Sequence, residues 1–137
     1  LNYIQLNQRI FQLKIKDLGC VVHEVTVDKC AVDDNDACKL KRGTKYFMNM
    51  NFTPDFEGDE IEVTAFTRIM GRDAEFEGMD KNACNYMTCP IENGKSINYS
   101  FNVLVAKTKP TGTFNVQWRM KQRGVNRCCF ENKFKLM

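Results

Sequence analysis

Seven cysteines and a single histidine are the residues of this 137-residue chain whose types could do chemistry. The cysteines stand at positions 20, 30, 38, 84, 89, 128 and 129, and the histidine is His23. Zinc sites draw on thiolates and imidazoles at short, regular spacing, as in paired CxxC elements. No CxxC occurs, and Cys30 to Cys38 and Cys84 to Cys89 are too far apart for ordinary zinc knuckles. Nucleophilic catalysis would have to recruit His23, yet no GxSxG or comparable signature accompanies it. The chain is therefore read as non-enzymatic, with no metal and no other cofactor. Disulfides ask only that paired Cα atoms come within about 4.4–6.8 Å, which small loops and hairpin ends allow. Cysteines in this density then place the protein in an oxidising compartment, as a secreted, extracellular protein.

Proximity predicts two small loops, Cys30–Cys38 and Cys84–Cys89. The third bridge then ties Cys20 to Cys128 or Cys129 and closes nearly the whole chain, which in the chain-entropy picture stabilises by about 4–5 kcal/mol. One thiol is left over. Two sequons agree with secretion: Asn51-Phe52-Thr53 and Asn98-Tyr99-Ser100 both fit N-x-[ST], with Pro54 following the first.

The elements that must position these residues are strands. Phe11, Leu13 and Ile15 alternate with polar residues, as do Tyr46, Met48, Met50 and Phe52. The same period of two runs through Ile61, Val63 and Ala65, through Ile97 to Val105, through Phe114 to Met120, and through Phe130, Phe134 and Leu136. Strict alternation marks a strand with one face in a core and one in water. Turn signals such as Asp33-Asp34-Asn35-Asp36, Glu57-Gly58-Asp59 and Glu92-Asn93-Gly94 separate the runs, and no segment holds a sustained 3.6-residue apolar period. Seven to eight strands spaced in this way predict an all-β fold, an antiparallel β-sandwich of two sheets. Both sequon asparagines fall on the polar phase. Cys129 shares the outward phase of Glu131 and Lys133, and Cys128 the inward phase of Phe130. Phase thus predicts Cys20–Cys129 as the third bridge, with Cys128 as a buried thiol that packs like a small hydrophobe.

Composition bounds the partners. Net charge is +3, so no basic stripe of the kind nucleic acid demands is present. No run approaches the roughly 18 apolar residues of a membrane span. The first ten residues, LNYIQLNQRI, hold no apolar stretch like that of a secretory signal, so a secreted chain would stand here in processed form. Ten Phe and seven Met are generous for this length. They suit either a filled core or a hollow one that takes a small apolar ligand, and periodicity does not separate the two. Three classes follow: a carrier, a filled sandwich acting as a surface recognition module, and a thiol- or zinc-dependent intracellular enzyme.

The segment Gly78-Met79-Asp80-Lys81-Asn82-Ala83-Cys84-Asn85-Tyr86-Met87-Thr88-Cys89-Pro90-Ile91 resembles the central signature of the ML lipid-recognition domain. That family includes the Niemann–Pick type C2 proteins and the mite group 2 allergens. Cys30 and Cys38 followed by Lys39-Leu40-Lys41-Arg42-Gly43, Trp118 in VQWRM, and Cys129-Phe130-Glu131 are similar to its flanking elements. The resemblance spans residues 11–137 as one domain and leaves 1–10 as an N-terminal extension. It implies an immunoglobulin-like sandwich with an internal hydrophobic cavity and three disulfides: Cys30–Cys38, Cys84–Cys89 and a first-to-last bridge. It also implies a secreted or lysosomal, non-enzymatic monomer that binds a fatty acid, sterol or related semiochemical and makes transient membrane or receptor contact. By the family's pattern a ligand-contacting Phe falls on Phe76 and a pocket valine on Val105. The aromatic at the mouth is replaced by Lys109, whose ammonium suits a carboxylate. The expected wall is Phe76, Phe101, Val103, Val105, Phe114, Trp118 and Phe130.

Overall fold

The computed structural model describes residues 8–10, 14–16 and 20–137, with side chains from Val21 onward. In chain order its strands are β1 (Gln8–Ile10), β2 (Lys14–Lys16), β3 (Cys20–Asp28), β4 (Ala31–Val32), β5 (Ala37–Leu40), β6 (Thr44–Pro54), β7 (Ile61–Ile69), β8 (Arg72–Glu75), β9 (Ile97–Val105), β10 (Gly112–Gln122) and β11 (Val125–Leu136). They form a four-stranded sheet in the order β1-β3-β6-β9 and a seven-stranded sheet in the order β4-β5-β11-β10-β7-β8, with β2 also on β11. This is the two-sheet sandwich that the alternation predicts. The strand count exceeds the expected seven or eight because segments of two to four residues are too short to display a period. One pairing departs from the antiparallel expectation: β5 runs parallel to β11, with Cys38 opposite Phe134 and Leu40 opposite Leu136.

Register brings the apolar phases together between the sheets. Met48 lies opposite Phe101 and Met50 opposite Tyr99 across β6 and β9. Trp118 lies opposite Phe130 on one side and Ala65 on the other. These residues are buried, each large side chain contributing about 1.5–3 kcal/mol by leaving water. A buried indole N–H needs an acceptor, and Trp118 Nε1 donates to Oδ1 of the buried Asn132 at 2.7 Å.

Cys30–Cys38 and Cys84–Cys89 are disulfides, each with Cα atoms 5.6 Å apart. The third bridge corrects the expectation from phase. Cys128 is disulfide-bonded, and Cys129 keeps a buried thiol. The side chain of Cys20, the expected partner, lies outside the described residues. Cys20 opens β3 in the four-stranded sheet, whereas β11 belongs to the other sheet. A bond that crosses between layers must leave from the face that looks across them. On β11 that is the phase of Cys128 and Phe130, not the phase of Cys129.

Of the segment expected as an N-terminal extension, Gln8–Ile10 pair with Asp28 to Thr26 at the edge of the four-stranded sheet. The expected strand positions Phe11 and Leu13 lie outside the described residues.

Candidate functional site

The sheets part at one end because the inward side chains shrink along two strands. On β9 the inward sequence is Tyr99, Phe101, Val103, Val105, and on β7 it is Ile61, Val63, Ala65, Thr67. Past Trp118 the facing side chains no longer meet, which leaves an apolar cavity of about 190 Å³. Val103 and Val105 form one wall, and Phe114, Val116 and Trp118 of β10 another. Leu40, Phe134, Leu136, Ile69, Phe76 and Pro110 complete the lining, with Met48 at the inner end beside Trp118. Several inward residues here, Val103, Phe114, Val116 and Leu136 among them, are only half-buried.

Six of the eight expected ligand-contacting residues surround this cavity: Phe76, Val103, Val105, Lys109, Phe114 and Trp118. Phe101 and Phe130 do not. They flank Trp118 on its far side, with ring centroids 5.7 and 6.0 Å from the indole. There they border a void of only about 10 Å³ among Met50, Tyr99 and Met120. Phase reports which sheet face a residue occupies and not its depth along the strand, which is why these two were grouped with the wall. Sequence reasoning missed Leu40, Ala65, Val116, Phe134 and Leu136. All but Leu40 carried the inward phase and could have been included. Ile69, the last residue of β7, continues the phase of Ile61, Val63 and Ala65, whereas Pro110, outside any strand, carried no such signal.

The mouth is polar on one side. Lys109 Nζ sits 4.7 Å from the Phe76 ring centroid, an attractive cation–π arrangement. Among the described residues Lys109 makes no ion pair. The nearby Glu75 carboxylate is taken by Lys81, at 2.6 Å, a contact that also raises the Lys81 pKa. The loop carrying Lys109 is held from β5's end. Arg42 Nη1 donates to the carbonyls of Lys107 and Lys109 at 3.1 and 3.0 Å. The Gly43 N–H donates to the Val105 carbonyl at 2.5 Å. Gly43 has φ +83°, and a Cβ there would come within 2.7 Å of Lys107 Cε. The Arg42-Gly43 pair therefore fixes the mouth.

The loop bearing Cys84–Cys89 meets β7 through a bridge between Asn82 and Glu62, and Asp80 ties the loop to itself. Its carboxylate accepts from Asn85 Nδ2 at 2.8 Å, the Asn82 N–H at 3.0 Å and the Tyr86 hydroxyl at 3.2 Å. These donors, Asn85 first, hold the Asp80 carboxyl below the usual carboxylate range. His23 lies exposed on β3, with Nε2 2.7 Å from Thr53 Oγ1, and is not part of the cavity lining. Asn51 and Asn98 lie opposite each other on β6 and β9.

A slot of apolar side chains with an ammonium at its rim that makes no ion pair among the described residues can take an apolar body and hold an acidic head. A profile of the ML domain matches residues 16–136. The chain is 29% identical over 120 residues to a "MD-2-related lipid-recognition protein" of Manduca sexta, covering 85% of this chain and 76% of that one. It is 30% identical over 112 residues to "NPC intracellular cholesterol transporter 2" of Bos taurus, covering 79% and 73%. A Niemann-Pick type C2 protein from the Japanese carpenter ant superposes with a TM-score of 0.81 over 93% of this chain and 100% of that chain, at 18% identity. That last likeness is one of fold.

Proposed function

The chain belongs to the ML domain family, and from that premise we propose that it is a secreted, non-enzymatic carrier of a fatty acid or similar single-chain acidic lipid. The cargo's chain occupies the hollow end of the sandwich and its carboxylate meets Lys109. The observation that carries this reading is the pairing of an apolar cavity with a cation that makes no ion pair among the described residues. An apolar cavity of about 150 Å³ is enough to hold benzene, and drug-sized ligands occupy upwards of about 300 Å³. At about 190 Å³ the cavity suits a slim chain that enters lengthwise through the open mouth. A sterol body needs more room, which here means moving Met48 at the inner end. Each methylene buried adds about 0.8 kcal/mol. The names of the moth and bovine relatives, for lipid recognition and cholesterol transport, support the broader reading of a lipid carrier.

The carrier unit is residues 11–137 with β1 added at the edge of its four-stranded sheet, acting as a monomer without nucleic-acid partners. It meets a membrane or receptor transiently, to load and release cargo. Three disulfides suit an extracellular or lysosomal setting.

The test is Lys109→Ala, titrated with oleate and with cholesterol by displacement of an apolar fluorescent probe. A half-exposed charge-assisted contact is worth about 1 kcal/mol, so oleate affinity should fall about fivefold while cholesterol is unaffected. Equal losses for both ligands would remove Lys109 from the site. A wild type that takes up neither would remove the carrier reading and favour a module acting through its surface.

A further inference from the structure

The two sequons are not equivalent in the folded protein. Asn51 and Asn98 are direct cross-strand neighbours on the outer face of the four-stranded sheet, where opposed side chains stand about 4.5–5.5 Å apart. They hydrogen-bond to each other in one sense only: Asn51 Nδ2 donates to Asn98 Oδ1 at 2.8 Å. The nitrogen that would carry a sugar on Asn51 is thus engaged. Among the described residues no hydrogen bond engages the corresponding nitrogen of Asn98, an exposed residue, while Asn51 is half-buried.

The rest of each sequon points the same way. The Thr53 hydroxyl lies 2.7 Å from both His23 Nε2 and Ser96 Oγ. Pro54, fully buried, follows it and restricts Thr53 to extended backbone, whereas sequon recognition needs the hydroxyl turned back toward its asparagine. No proline follows Ser100. Its hydroxyl donates to Asn49 Oδ1, so both sequon hydroxyls are engaged, and the two sequons differ in the proline after Thr53 and in the exposed amide of Asn98.

We propose that Asn98 is the N-glycosylation site of this protein and that Asn51 stays bare and braces it. The modification rests on the reading that the chain passes through a secretory pathway. Asn98 Nδ2 bonds to the anomeric carbon of a lipid-pyrophosphate-linked oligosaccharide. The anomeric C–O bond breaks, the lipid pyrophosphate leaves with its electron pair, and one amide proton is lost. The product has a single glycan on the sheet face turned away from the cavity, so cargo exchange at the mouth is unobstructed. Two glycans at that separation would collide, and one on Asn51 would break the amide pair.

The full chain, expressed behind a secretion signal in insect cells, gives the test. Its intact mass is measured before and after a peptide N-glycosidase, and sites are mapped by digestion in heavy-oxygen water, which labels each released asparagine as aspartate. One glycan per chain, mapped to Asn98, is expected. Asn98→Gln should lose the mass shift and Asn51→Gln should keep it. A label at Asn51, labels at both positions, or no glycan on the secreted wild type would overturn the assignment. Mapping the wild type decides the matter even where a variant fails to be secreted. Oleate uptake by the enzymatically deglycosylated protein reports separately on the carrier reading, so the two fail independently.

Discussion

The two ends of the sandwich share strands, register and alternation, yet one is filled and the other hollow. At the filled end Tyr99, Phe101, Trp118 and Phe130 form a chain of ring contacts, and Met50 and Met120 close around them. A few residues further along the same strands, Val103 and Val105 succeed the aromatics and Ala65 faces them across the layer. Phase decides which face a side chain occupies. Its volume decides whether that face meets its opposite. A shift from aromatic to valine along β9, with alanine on β7, is enough to open a cavity without disturbing a single backbone pairing.

The largest contrast should come from truncation. Phe101→Ala removes a buried ring from close packing and should cost about 3–5 kcal/mol. Val103→Ala, at a wall already in contact with empty space, should cost under about 1 kcal/mol. Urea denaturation measures both, and equal losses would erase the distinction between the ends. Enlargement should reverse the pattern. Val25→Phe overfills a packed site and should cost about 1–3 kcal/mol. Val103→Phe should leave stability within about 1 kcal/mol because room exists, yet lower oleate affinity at least about tenfold, about 1.4 kcal/mol.

Smaller effects sharpen the mouth of the hollow end. Gly43→Ala forces a left-handed alanine, at about 1–2 kcal/mol, and presses on Lys107. It should weaken oleate more than cholesterol, since it disturbs the loop bearing Lys109 and leaves the apolar wall alone. The smallest effect concerns pH. The Asp80 carboxyl is more acidic when folded than its ordinary value of 3.8, so its contribution is complete above that value and is lost as pH falls through the lower folded one. Hydrogen-exchange protection of residues 82–86 should hold in mild acid and fall only below that range. Asp80→Asn should abolish the dependence, and an unchanged acid limb in that variant would assign it to another group.

Much of the fold was legible because long strands declare themselves. The runs at 46–52, 97–105 and 114–120 alternate without interruption, and β6, β9 and β10 follow them. The short strands carry no period, and the parallel partnership of β5 with β11 depends on where two distant segments meet. Phase placed Cys128 on the core face, and the expected bridge went instead to Cys129, although a bond between layers must start from the core face. It also grouped Phe101 and Phe130 with the cavity wall, since alternation has no coordinate along the strand. The drop in side-chain size along β9 was present in the sequence and is the signal that would have located the hollow end. The grip of Arg42 on the Lys107 and Lys109 carbonyls was not legible, because it joins residues far apart in the chain through backbone atoms.

Native mass spectrometry of the wild type and Val103→Phe, each mixed with oleate, tests the hollow end most directly. One oleate per wild-type chain, released on denaturation, and none on the variant is the result expected of a cargo held between Val103, Phe114 and Trp118. Equal oleate occupancy on the two proteins would place the ligand elsewhere and contradict a cavity made by the taper of β9.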